Sequence, residues 1–188
     1  MASRRQEPRQ REEFAWVLDF IKLGTPRRTW RREPAPYAQC LGEQYFTLLE
    51  VAVVKGTKLS VGTRIYVGSG QRNEVAAVLG RIDYRDITQL AKDNLPAILD
   101  KVVTGNEEKY VRVINSMGLL TPRLHAFELL PGIGKSTTRK IIEERERGPF
   151  ASFDDFSQRT RISNLGKVIV ARIVEEISGE QKYRLFVR

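Results

Sequence analysis

Between residues 37 and 85 apolar residues come in short β-branched and aromatic runs broken by glycine, whereas beyond Asp86 they recur three and four positions apart. The first pattern belongs to strands, the second to a helix with a buried stripe. Residues 14–21 form an apolar, strand-like run stopped at Gly24. Further strands are predicted over 37–41, 45–54, 64–68 and 74–82, where β-branched and aromatic residues concentrate. Gly42-Glu43, Lys55-Gly56-Thr57, Val61-Gly62 and Gly68-Ser69-Gly70 punctuate them. Strands so short and closely spaced predict a small antiparallel β-barrel domain over 14–86. Linking helices follow over 87–118. One covers 87–92, one starts at Pro96 and stops at Gly105, and one is capped by Asn106, with Glu107 and Glu108 in its first turn and Tyr110, Val113, Ile114 and Met117 on one face. The class read from the pattern is α+β.

Further along, the stretch Leu129-Leu130-Pro131-Gly132-Ile133-Gly134-Lys135-Ser136-Thr137 separates two helical patterns. Upstream, Thr121 is a predicted cap, Pro122 a first helical residue, and Leu124 and Phe127 share a face. Downstream, Thr138, Ile141, Ile142 and Arg145 keep helical spacing until Gly148-Pro149. Gly132 and Gly134 let the backbone bend sharply and lie close to a bulky ligand. The helix that follows leaves its first N–H groups unpaired and carries partial positive charge there, an anion site to which Lys135 adds a full charge. Another helix opens at Ser152, which has capping spacing to Asp155, with Phe153 and Phe156 pointing one way. After it, Arg161-Ile162-Ser163-Asn164-Leu165-Gly166-Lys167 leads into Val170, Ile173, Val174 and Ile177, a helical run ended by Gly179. This is a degenerate copy of the first turn, with Ser163-Asn164 in place of Pro-Gly. Residues 180–188 contain an alternating run, Tyr183, Leu185 and Val187 against Lys182, Arg184 and Arg188, predicted to return as a strand to the β domain.

The run from Leu130 to Lys135 resembles the helix-hairpin-helix motif, in which a hydrophobic residue and Pro-Gly-hydrophobic-Gly-basic open a helix. Residues 119–179 as a whole resemble a tandem helix-hairpin-helix domain. That resemblance implies an all-α bundle gripping phosphodiester backbone without reading sequence, through Gly132, Ile133, Gly134, Lys135, Ser136 and Thr137 and, in the second copy, Asn164, Gly166 and Lys167. Gly134-Lys135-Ser136 also echoes the phosphate loop G-x-x-x-x-G-K-[ST], but the first glycine of that pattern falls on Leu129 and no strand leads into the turn. A plain helix connector is a further alternative. Lys58 to Gly68 is similar to the central strand region of an OB-fold, which implies a groove lined by Lys58, Arg64, Tyr66 and Arg72; solvent-facing strand positions are the plainer reading of the same residues. An OB-like barrel followed by such a bundle, over nearly the whole chain, resembles an uncharacterised archaeal family predicted to bind RNA. Membership would imply nucleic-acid binding, RNA favoured, in translation or ribosome-linked work.

Charge sharpens this picture. The 188 residues carry a formal net charge of +9, a balance that favours polyanionic partners by counterion release. The excess lies at the two ends: nine basic against five acidic residues over 1–36, and thirteen against nine over 119–188. Residues 1–13 read as a charged arm without fixed structure. The loop between Pro26 and Pro34 sets Arg27, Arg28, Arg31 and Arg32 around Trp30, a combination that can hold phosphate and stack on a base or simply solvate the surface. Cys40 and His125 are each alone in their type, which excludes an intramolecular disulfide and a zinc cluster built from such ligands. No apolar run approaches a membrane span, and a cytoplasmic setting is expected.

Candidate catalysis is thin. Asp154 and Asp155 lie downstream of the first turn, where some DNA glycosylases of the helix-hairpin-helix kind place an aspartate, but Ser152 already accounts for Asp155 as a capping residue. Nothing marks a pocket for a flipped base, and no Ser/His/Asp set stands out. The reading of the sequence is therefore a non-enzymatic nucleic-acid-binding protein without cofactor, metal or membrane partner. The alternatives are a protein-interaction module of a ribonucleoprotein assembly and a base-excision enzyme.

Overall fold

The computed structural model describes residues 11–27, 34–179 and 181–187. They fall into two compact units, one reaching Leu95 and including Val187, the other Pro96–Phe186.

In the first unit, β1 (Phe14–Gly24), β2 (Ala35–Gly42), β3 (Leu48–Val53), β4 (Arg64–Tyr66) and β5 (Val75–Arg81) form one antiparallel sheet in the order β4-β1-β2-β3-β5. Alternation places Ala15, Val17, Ala38, Cys40, Leu49, Val51, Ile65 and Val75 in one buried cluster. Burial pushes the Cys40 thiol pKa up, so it stays protonated and packs as a small apolar group. Elsewhere on the sheet, buried Gln39 and Asp19 meet the start of α1 (Gln89–Gly105): Thr88 donates to Asp19 at 2.6 Å and takes its place as N-cap, accepting from the Ala91 amide at 3.0 Å. At the turn between β2 and β3, the buried carboxylate of Glu12 accepts from the amides of Gln44, Tyr45 and Thr47 at 2.8, 3.0 and 3.2 Å.

The second unit holds the rest of α1, then α2 (Glu107–Ser116), a two-stranded hairpin of β6 (Leu119–Thr121) and β7 (Leu124–His125), a 3-10 turn (Ala126–Leu129), α3 (Lys135–Glu146), α4 (Phe153–Thr160) and α5 (Leu165–Ser178). Tyr110, Ile114, Phe127, Leu130, Ile141, Phe156 and Leu165 are fully buried. Three arginines are consumed in holding it. Arg145 Nη1 caps the end of α2 on the carbonyls of Ile114, Asn115 and Met117. Arg159 serves the carbonyls of Glu144, Gly148 and Pro149 between α3 and α4. Arg172, buried, pairs with buried Glu176 at 2.8 Å and donates to the Tyr183 carbonyl.

Several expectations are corrected here. The class is α+β, but the sheet is a curled half-barrel and no closed OB-like barrel forms: β4 and β5 are its two edges and do not pair. The helical part is not a tandem helix-hairpin-helix bundle either. The predicted helix from Thr121 is absent, because Pro122 and Arg123 sit at the tip of a hairpin in which Leu119 pairs with His125; the residues before the first glycine turn make only a four-residue 3-10 segment. Five helices are instead interleaved with that hairpin and with 3-10 turns. Pro96 does not start a helix but lies inside α1, whose buried Ala91, Leu95, Ile98, Leu99 and Val102 form an unbroken stripe across it. Asn106 precedes α2 without capping it, its side chain donating back to Val102. Residues 182–187 are not a strand: the Leu185 and Phe186 amides donate to the Glu176 carboxylate at 2.7 and 2.9 Å.

Candidate functional site

The first glycine turn is built by local rules. Leu130-Pro131-Gly132-Ile133 closes with the Ile133 amide on the Leu130 carbonyl at 3.0 Å, and Gly132 takes φ +79°, the signature of a type II turn with proline second and glycine third. Leu130 and Ile133 are buried and anchor the loop from within. Gly134 then caps α3 in extended conformation with no side chain to satisfy the helix amides; the first intrahelical bond runs from Thr138 N–H to Gly134 at 2.8 Å. The amides of Lys135, Ser136 and Thr137 therefore open the helix without intrahelical partners. Nothing lies within 4 Å of where a Cβ would stand on Gly132 or Gly134, so the two glycines border open space.

Charge on α3 is divided along its length. Lys135, Arg139 and Lys140 are exposed and their side chains have no partner among the described residues. Arg145 and Arg147, in the last turn and just beyond it, are engaged, the first on backbone carbonyls and the second on Glu144 at 2.6 Å. The cations left over thus gather in the first two turns, on the end whose dipole already favours an anion. Arg139 and Lys140 escaped the sequence reading; their spacing four and five residues beyond Lys135 was the available signal.

The 3-10 segment leading to the turn is capped by His125, whose Nδ1 accepts from the Phe127 amide at 3.1 Å while its own amide donates to Glu128 at 3.0 Å. Burial and the neighbouring Arg145 hold the His125 pKa below its ordinary value, against a smaller opposite pull from Glu128.

The second turn is arranged differently. α5 starts at Leu165 with Asn164 as its cap in left-handed conformation, φ 57°, and Arg161 is left-handed too, φ 64°. Gly166 and Lys167 consequently sit inside the first turn of the helix, not ahead of it. A Cβ on Gly166 would lie 3.5 Å from the Phe153 ring, so this glycine faces α4. Lys167 and Asn164 are exposed.

The remaining candidates scatter. Arg64 makes a two-pronged ion pair with Glu43, 2.7 Å at its shortest, and lies 3.5 Å over the Phe14 ring. Tyr66 stacks edge-on with Phe14, and its hydroxyl accepts from the Gly70 amide. Arg72 Nε donates to the Gly68 carbonyl at 2.7 Å. Lys58 is exposed in a loop outside the strands, so the four do not form a shared groove of free side chains. Arg27 pairs with Asp86 at 3.0 Å, while Arg28, Trp30 and Arg31 lie outside the described residues. Asp155 accepts from Ala151 and pairs with Arg159, and Ser152 caps α4 on the Asp155 amide; Asp154 is exposed. No group of three or more His, Cys, Asp or Glu among the described residues could hold a metal ion, and no described helix is long and apolar enough to cross a membrane.

With this geometry in hand, comparison with known proteins places the chain. Residues 11–188 match the family described as "Protein of unknown function (DUF655)". The chain belongs to DUF655. It is 37% identical over 187 residues to MJ0038 of Methanocaldococcus jannaschii, covering 98% of this chain and 84% of that one. The crystal structure of Af1531 from Archaeoglobus fulgidus, a DUF655 protein, superposes with a TM-score of 0.85 at 42% identity, covering 94% of this chain and 100% of Af1531. DUF655 membership identifies the family and its architecture; a ligand has to be argued from the turn itself.

Proposed function

We propose that this protein binds nucleic acid through the backbone phosphates, without reading sequence, at the turn that opens α3. The observation that carries the reading is the pairing of a helix start at Gly134 that has no side-chain cap and borders open space with three exposed cations, Lys135, Arg139 and Lys140, that have no partner among the described residues. Amides that point outward and a helix dipole suit a phosphate oxygen, and the lysines and arginine add attraction that reaches along a charged strand. Ser136, exposed, and Thr137, half-buried, bring two further hydroxyl donors to the same end.

The test is fluorescence anisotropy with single- and double-stranded RNA and DNA of unrelated sequence, across a range of salt. Affinity should fall linearly on a log–log plot against salt, and Lys135→Glu should weaken every ligand alike. Unchanged affinity in Lys135→Glu sinks the reading. The RNA and DNA arms of the same titration report which polymer is preferred.

A second reading, a protein-interaction module, has one observation in its favour: on β6 Leu119 is 70% exposed and its neighbour Leu120 37%. Large apolar side chains left exposed on a hairpin, here on its two faces, are a feature of contact surfaces. A purified protein with no affinity for any nucleic acid would move the choice to that hairpin.

A further inference from the structure

The half-barrel of the first unit leaves a cleft of about 910 Å³ near its open seam, where the chain leaving β4 faces the end of β5. That volume is in the range of small-molecule sites, which span about 300–1,000 Å³. Leu49, Val67 and Val78, from β3, the exit of β4 and β5, give it aliphatic lining. Arg11, Arg72 and Arg81 also line it, together with Glu13 and with Glu12, whose carboxylate is held by three amides. Two details show fixed geometry. The Glu13 carbonyl accepts from the amides of Val67 and Gly68 at 2.8 and 3.1 Å, which pins the lip carrying its side chain. Arg72 is tethered through Nε alone, so its terminal nitrogens keep their donors. Opposite, β5 bulges: Glu50 pairs with Gly80 and Val51 with Val78, leaving Leu79 without a partner across the ladder, and Gly80 takes φ +144°. Bulges of this kind re-aim backbone beside binding sites.

We infer that this cleft binds a nucleoside 5′-phosphate, with guanine the best-matched base. Guanidiniums beside the Glu13 carboxylate, with the Glu12 carboxylate already taken by backbone amides, suit a ligand that carries both an anion and adjacent N–H donors. A bare inorganic anion would gain nothing from Glu13 and would leave the aliphatic wall empty. Guanidinium forks take phosphate in two-pronged fashion and their planes stack on bases, so different arginines can serve the two ends of one nucleotide. The N1–H and N2–H₂ edge of guanine offers two parallel donors to the two oxygens of Glu13, an edge that uracil lacks. The site is independent of the turn before α3.

Amide chemical-shift mapping of the full chain with GMP, UMP and inorganic phosphate tests this. GMP should shift Val67 to Arg72 and Leu79 to Arg81 and bind about tenfold more tightly than UMP, because the weaker ligand leaves a carboxylate oxygen without its partner. Glu13→Gln should erase that preference, Arg72→Ala should weaken both nucleotides, and Lys135→Glu should change neither. An oligonucleotide carrying a 5′-terminal guanosine phosphate, against the same strand with a 5′-hydroxyl, distinguishes a strand end from free nucleotide: shifts at the cleft that require the phosphate identify the end as a ligand, and their absence with GMP still bound assigns the free nucleotide. No shift at the cleft with any of these, or equal binding of GMP, UMP and inorganic phosphate, overturns the inference.

Discussion

The two turns of the second unit share the sequence pattern hydrophobic-Gly-Lys, Ile133-Gly134-Lys135 against Leu165-Gly166-Lys167, yet they are not the same device. In the first, the helix starts after the glycine; in the second, it starts two residues earlier, at the hydrophobic residue. That shift turns an open approach into packing: Gly134 borders empty space and Gly166 borders Phe153. The surroundings agree. α5 carries the buried Arg172–Glu176 pair that holds the C-terminal residues, whereas the cations at the start of α3 have no partner among the described residues. One turn is placed for contact and the other for support, and a shared dipeptide does not decide which.

The support role gives the largest expected effect. Glu176→Ala removes a buried acceptor from Arg172 and from the amides of Leu185 and Phe186, and should cost about 3–5 kcal/mol in urea unfolding. A cost below 1 kcal/mol would mean that α5 is not the prop described. The contact role comes next: Lys135→Glu should lower nucleic-acid affinity about tenfold at moderate salt and flatten the salt slope by about one, while Lys167→Glu should change affinity less than twofold. Equal losses would restore two equivalent turns. Glycine replacements should then differ in sign. Gly132→Ala forces an alanine to φ +79° and should destabilise by about 1 kcal/mol. Gly166→Ala meets Phe153 at ordinary contact distance inside a helix and should be neutral or stabilising by up to about 1 kcal/mol.

The smallest effect concerns acid. His125 has a depressed pKa in the folded chain, so as pH falls below about 6.5 the unfolded chain takes up a proton that the native state still refuses. Stability is fully present above that pH and declines as it drops toward the lowered folded value. Protonation at Nδ1 also removes the acceptor for the Phe127 amide, so the segment feeding the first turn should loosen first. Amide exchange followed from pH 7.5 to 5.5 should show Phe127–Leu130 losing protection while Thr160–Leu165 does not; uniform behaviour would break the distinction.

What the sequence made legible follows physical lines. A sharp turn at Leu130–Ile133 was readable, though not its type, because proline fixes φ and glycine admits the positive φ a turn needs, and the cap at Ser152 was readable because its partner lies three residues away. Thr121-Pro122 was not, since a cap followed by proline and a hairpin tip use the same residues, and the choice fell to the pairing of Leu119 with His125. The break expected between Lys92 and a helix start at Pro96 failed because the buried stripe of α1 outweighs one lost hydrogen bond. Arg64 and Tyr66 looked available because alternation shows which side chains leave the core; it does not show that Glu43 and Phe14 are waiting for them. The tail read as a strand because an extended chain alternates whatever accepts its amides, and here the acceptor is Glu176.

The clasp that Glu12 makes on Gln44, Tyr45 and Thr47 gives the residue just ahead of β1 an unusual job. Gly42 beneath it leaves no room for a Cβ unless the Glu12 carboxylate moves aside and gives up those amides. A ladder of N-terminal deletions should therefore show a cliff where Glu12 is lost: a single missing carboxylate would set three amides adrift thirty-odd residues downstream, and the hinge between two neighbouring strands would come undone from the far end of the chain.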